Sequence, residues 1–165
     1  MSAVRAKKQT TETKLSVAEK ASYIKKNQLI LLKGLSKRPE TQLTSFEKIK
    51  MIKEGIPKKA LEELKEKTGL DYDALSTVLS VARATLINKK GDARFDSSLS
   101  ERIMAIADIY SFGYEVFEDV EKFNRWISRP IRALGWKAPF QFLDTEYGRQ
   151  EVKNIIGRIL YGVFS

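Results

Sequence analysis

The 165-residue sequence contains neither cysteine nor histidine. Without cysteine there are no disulfides and no thiol nucleophile. Without histidine the commonest general base is gone, and with both absent most zinc sites are excluded. Carboxylate and lysine chemistry remain available, but no constellation of those residues marks a reaction centre. The chain therefore reads as a non-enzyme with no cofactor and no metal. Long apolar runs are missing too: nothing approaches the ~18 consecutive apolar residues that a membrane span needs. The opening "MSAVRAKKQT" is basic and lacks the apolar stretch of a signal peptide. These absences predict a cytoplasmic protein with no membrane partner. Strand-like alternation of useful length is also lacking, so the expected fold class is all-α.

What the chain does carry is apolar residues and charge. Hydrophobic residues make up 42% of it, enough for a core in one compact domain or in two small ones sharing an interface. The net charge of +9 is uneven. Residues 1–54 hold 13 Lys/Arg against 5 Asp/Glu, giving +8, whereas residues 55–165 hold 17 against 16, giving +1. A basic arm ahead of a near-neutral body suggests contact with a polyanion. A solvated tail accounts for the charge equally well.

Residues 1–16 are polar and aperiodic and predict a disordered arm. Composition favours a helix over 17–35, ending at Gly34. In "TSFEKIKMIKEG", Thr44 and Glu47 have capping-box spacing, and Phe46, Ile49 and Ile52 mark one face. Gly55 ends that helix, Pro57 opens the next, and Gly69 closes it. Further on, Ser98 and Glu101 have the spacing of a second capping box ahead of "LSERIMAIADIYSFG". "VFEDVEKFNRWIS" then adds Val116, Val120, Phe123 and Ile127 at helical spacing before Pro130.

Two segments point to function. In "DYDALSTVLSVARATLINKKGD", Leu75, Val78 and Leu79 lie on one face of a short helix that Asp71 is placed to cap. A tight connection centred on Val81 leads to a second helix that keeps Leu86 inward. That pattern fits a helix-turn-helix, whose second helix enters the DNA major groove. The outward positions are Arg83, Ala84, Thr85, Asn88, Lys89 and Lys90. Arginine matches guanine O6/N7 and asparagine matches adenine N6/N7, while threonine and lysine serve phosphates. Ser80 stands where such turns usually have glycine, and Ala82 offers no side-chain cap. A purely structural helical hairpin is the alternative.

The second segment is "LDTEYGRQEVKNIIGRILYGVFS". Asp144 or Thr145 can cap a helix here, with Glu146 in its first turn. Val152, Ile155, Ile156, Ile159, Leu160 and Val163 fall on one broad face suited to a core. Gly157, Tyr161 and Phe164 lie on the other side beside Arg158, and an interior glycine suggests close approach by a neighbour. A helix apolar on both sides is either buried all round or shared with a partner.

On these residues the sequence resembles the Xre/MbcA/ParS antitoxins of toxin–antitoxin operons. The resemblance rests on "LDTEYGRQEV" followed by "IIGRILYGVFS", with "LSVARATLINK" where that family carries its Xre-like helix-turn-helix. It covers about residues 55–165. It implies a helix-turn-helix region over 55–112 and a toxin-binding domain over 113–165, leaving residues 17–54 as helices of unassigned role. The implied partners are a cognate RES-domain toxin that consumes NAD, operator DNA and a second copy of the chain. Asp144, Thr145, Gly148 and Arg149 would be structural motif residues, and Gly157, Arg158, Tyr161, Gly162 and Phe164 toxin-binding ones. The implied DNA-binding set is Arg83, Thr85, Asn88, Lys89 and Lys90. The competing reading is a stand-alone helix-turn-helix regulator that homodimerises through its final helix.

Overall fold

The computed structural model describes residues 29–32 and 34–162. The arm over 1–16, most of the helix expected over 17–35, Val163 and Phe164 lie outside the described residues. Among the described residues seven α-helices follow one another: α1 (Ser45–Glu54), α2 (Lys58–Thr68), α3 (Tyr72–Leu79), α4 (Arg83–Asn88), α5 (Ser97–Phe117), α6 (Val120–Ile127) and α7 (Glu146–Leu160). Short 3-10 turns occupy Glu40–Gln42, Arg132–Leu134 and Pro139–Phe142. Among the described residues there is no strand; isolated bridges join Pro57 to Arg94 and Ile131 to Lys137. The fold is all-α.

α5 is the axis of the molecule. It buries Leu99, Ile103, Met104, Ile106, Ile109 and Tyr110, which leaves little of its circumference to water. A helix apolar nearly all round belongs at the centre of a helical array, and α1, α2, α3, α6 and α7 pack about it. Each fully buried large side chain of this set is worth about 1.5–3 kcal/mol. The helix continues through Gly113 to Phe117. A Cβ at Gly113 would stand 2.1 Å from the Phe123 ring. The missing side chain lets α6 lie against α5. Phe123 makes edge contacts with Tyr110, Tyr114 and Phe117 at centroid distances of 5.4, 5.5 and 5.4 Å and stacks on Trp126 at 5.7 Å. Burial pushes the Tyr110 and Tyr114 phenols far above their ordinary range.

The helix boundaries follow local chemistry, with three corrections. The Thr44–Glu47 capping box forms in full, and Gly69 closes α2 in the left-handed conformation. The expected Ser98–Glu101 box does not form. Asp96 caps α5 instead by accepting the Leu99 N–H at 2.8 Å, which places Ser98 inside the helix. Phe46 and Ile49 do not face the core: Phe46 is 85% exposed and Ile49 half-exposed, while α1 leans on α5 through Met51 and Ile52. Finally, residues 30–32, 34 and 35 are not helical. The buried Glu40 carboxylate accepts N–H bonds from Leu31 at 3.0 Å and Leu32 at 2.7 Å, which removes the donors a helix would need. Ile30, Leu31 and Leu32 are thereby pinned into the core. Burial raises the Glu40 pKa, although these N–H bonds act against the shift.

Candidate functional site

α3 and α4 form the angled helix pair that the sequence pattern indicates. Asp71 caps α3 through the Ala74 N–H at 2.8 Å, and Leu75, Val78, Leu79 and Leu86 are all buried. Ser80 closes α3 at φ 51 and ψ 48, a left-handed conformation usually left to glycine. The tight connection requires it, because the Val81 N–H reaches back to the Ser76 carbonyl at 3.1 Å. From the other side, the Arg102 guanidinium of α5 donates to the Leu79 carbonyl at 2.7 Å. Beneath α4, the buried Lys58 ammonium donates to the Leu86 carbonyl at 2.5 Å and the Tyr72 hydroxyl at 2.7 Å and pairs with Glu62 at 2.7 Å. One lysine thus ties α2, α3 and α4 together. Burial works against its charge, but Glu62 and Tyr72 prevail and raise its pKa.

The structure keeps Arg83, Thr85, Asn88 and Lys90 exposed on or beside α4. Lys89 is different: half-buried, it donates to the Arg94 carbonyl and lies over the Phe95 ring at 5.7 Å. Arg83 is paired with Asp73 at 3.3 Å. Ile87, absent from the sequence-based set, is 41% exposed on the same helix. With Leu86 the sole buried residue of a six-residue helix, its neighbour is turned about 100° outward. That rotation was available in the sequence.

α7 separates its two faces cleanly. Thr145, not Asp144, is the cap, accepting the Gly148 N–H at 3.1 Å. The Asp144 carbonyl instead accepts the Ser80 hydroxyl at 3.4 Å, joining this segment to the helix-turn-helix connection. Gly148 is a packing position, since a Cβ there would lie 1.9 Å from the Phe142 carbonyl oxygen. Arg149 donates to the Leu143 carbonyl at 3.0 Å. Val152, Ile155 and Ile156 are buried, but Ile159 is only half-buried and Leu160 is exposed, so the core face is shorter than expected. Opposite them, Tyr147 is 90% and Tyr161 80% exposed. Arg158 stands between them, paired with Glu151 at 3.0 Å. Gly157 is on this open side: a Cβ there would meet nothing within 4 Å. Among the described residues no neighbour approaches it closely. Gly162 follows at φ 67. Tyr147 was missed by sequence reading, although it shares the outer face at about 100° per residue.

α7 is also tied to the rest of the molecule electrostatically. Asp108 of α5 receives Lys153 of α7 at 2.6 Å and Lys48 of α1 at 2.8 Å. These contacts tie α7 to α5 and α1.

The fold and its two surfaces define an all-helical helix-turn-helix protein with a second helical unit docked on it. Residues 47–108 match the antitoxin Xre-like helix-turn-helix domain, and residues 113–162 match the antitoxin Xre/MbcA/ParS C-terminal toxin-binding domain. The chain is 38% identical over 76 residues to an Antitoxin Xre of Photorhabdus laumondii, an overlap covering 46% of this chain and 51% of that one. It is 31% identical over 115 residues to an Antitoxin Xre of Yersinia enterocolitica, covering 60% of this chain and 78% of that one. A Prs ADP-ribosylating antitoxin of Sphingobium sp. is 25% identical over 130 residues, covering 72% and 81%. The chain spans about half the length of the Photorhabdus relative. It belongs to the Xre/MbcA/ParS antitoxin family.

Proposed function

We propose that this chain neutralises a RES-domain, NAD-consuming toxin by covering its active site with the outer face of α7, and represses its own operon through α4. The observation that carries the first half is that face itself. Two tyrosines and an arginine stand out from one helix, and the gap at Gly157 has no occupant among the described residues. Exposed aromatics and arginine are the side chains that dominate protein interfaces. The chemistry of the toxin follows from the family resemblance. It is supported by the Sphingobium relative, whose name couples the antitoxin to ADP-ribosylation, a reaction that draws on NAD. The mechanism on this chain is binding, with no turnover. Arg158 and Tyr161 act as anchors, Gly157 admits the close approach, and Gly162 with Phe164 completes the contact. Asp144, Thr145, Gly148 and Arg149 set the start and the tilt of the helix.

For DNA, Arg83, Thr85 and Asn88 reach base edges or phosphates from α4, and Lys89 and Lys90 extend the contact beyond its end. A homodimer would place two such helices about one DNA turn apart, which doubles the phosphate contacts. This work is cytoplasmic. The alternative, a stand-alone regulator that dimerises through α7, is favoured by the same exposed tyrosines and separates cleanly by experiment. The Arg158→Ala/Tyr161→Ala double variant should lose rescue of cells expressing the toxin and lose its capture, yet keep its own oligomeric state. Loss of dimer with rescue intact would replace the antitoxin reading with the regulator.

A further inference from the structure

Residues 122–143 contain Lys122, Arg125, Arg129, Arg132 and Lys137 and no acidic residue. All five cations are exposed. Lys122 and Arg125 lie near Asp119, whose carboxyl is held below its ordinary range first by the Lys122 N–H and further by these two charges. Arg129, Arg132 and Lys137 enter no salt bridge among the described residues. The last two sit in a turn that closes on itself: the Ile131 N–H reaches the Lys137 carbonyl at 3.1 Å, and the Trp136 N–H reaches the Ile131 carbonyl at 3.0 Å. Inside that turn Trp136 adopts φ 62 and is 70% exposed. A left-handed backbone is costly for a residue with a side chain, and an exposed indole forgoes its burial. Neither cost is recovered within the described residues.

The position of this turn indicates what it meets. The Pro139–Phe142 turn directly after it packs against α3, and Asp144 joins the Ser80 connection. The cationic segment therefore adjoins the helix-turn-helix. That motif is poor in charge of its own: residues 71–92 hold Arg83, Lys89 and Lys90 against Asp71, Asp73 and Asp92, a net charge of zero. Moreover, Arg83 is engaged by Asp73 and Lys89 by a carbonyl. Duplex DNA is held largely by phosphate neutralisation, so a motif this neutral needs cations from outside it. Cations neutralise the phosphates of a duplex, and an exposed indole beside them is placed to pack against its sugars.

We propose that Arg129, Arg132, Trp136 and Lys137 form a second DNA contact, gripping phosphates beside the bases that α4 faces. The proposal rests on the DNA-binding reading above and extends it into the domain that binds toxin. The test is fluorescence anisotropy of the full chain between 50 and 200 mM salt. Its probes are a duplex from immediately upstream of the chain's own coding sequence and a scrambled duplex of equal length. Combining Arg129→Gln, Arg132→Gln and Lys137→Gln should weaken both duplexes alike and lower the salt slope by about two to three. Asn88→Ala should instead narrow the preference between duplexes and leave the slope intact. Trp136→Gly should melt no lower than the wild type, because it relieves the backbone, yet bind both duplexes about fivefold or more weakly. If the wild type binds neither duplex, the DNA-binding reading fails and takes this one with it. If the wild type binds and the triple variant matches it in affinity and slope, this proposal alone is overturned. Loss of toxin capture with DNA binding unchanged would make the patch a protein contact and overturn it equally.

Discussion

Replacing Gly157 and Gly148 by alanine, one at a time, separates two glycines on one helix that have opposite reasons to exist. At Gly157 a Cβ meets nothing within 4 Å. Alanine should therefore deliver its helix-propensity advantage of about 1 kcal/mol and raise the melting temperature by about 2–4 °C for a chain of this size. At Gly148 the added methyl would lie 1.9 Å from the Phe142 carbonyl oxygen and 2.8 Å from the Thr145 hydroxyl that caps the helix. Backbone cannot yield as a flexible side chain does, so overpacking should cost at least about 1–3 kcal/mol, and the cap is lost with it. Circular dichroism at 222 nm during thermal unfolding reads both. Measured beside neutralisation in cells, Gly157→Ala should be the rarer outcome: a more stable protein that is a poorer antitoxin. If it destabilises the free chain, its environment is packed and the open-face argument is wrong. If it stabilises and neutralises fully, Gly157 is not where the toxin approaches.

Other consequences follow from individual contacts. Asp108→Asn removes the charge shared by Lys48 and Lys153 and should cost about 1–3 kcal/mol in denaturant titration, with a smaller difference at high salt. Ser80→Gly should stabilise by about 1 kcal/mol, because it relieves the left-handed residue at the cost of one long hydrogen bond. Glu40 has a raised pKa in the folded state, so its contribution works against folding at neutral pH and improves as pH falls toward the ordinary 4.5. Glu40→Gln should be less stable than the wild type at pH 7 through its imperfect fit to two N–H donors. The gap should widen as pH falls from 7 toward 4.5, since only the wild type gains; a gap constant with pH would contradict this assignment.

The helices and their order were legible in the sequence because apolar spacing and caps such as Thr44, Asp71 and Gly69 act locally. Legibility failed where a competing neighbour or a partner further along the chain decides the outcome. Asp96 outcompeted Ser98 as a cap, Gly113 gives no sign in the sequence of the Phe123 ring that needs its space, and Glu40 takes the N–H donors of Leu31 and Leu32 from outside that segment. The same division runs through the candidate sites. Thr85, Asn88, Arg158 and Tyr161 are exposed as their helical register implied. The capture of Lys89 by the Arg94 carbonyl and the left-handed Trp136 depend on turns that no periodicity encodes.

The central claim is that the outer face of α7 neutralises a toxin, and it is tested most directly by co-purification with that toxin. The full chain should retain a RES-domain protein at a fixed ratio and suppress its NAD consumption, and the Arg158→Ala/Tyr161→Ala variant should do neither while melting as the wild type does. Full suppression by that variant would contradict the account.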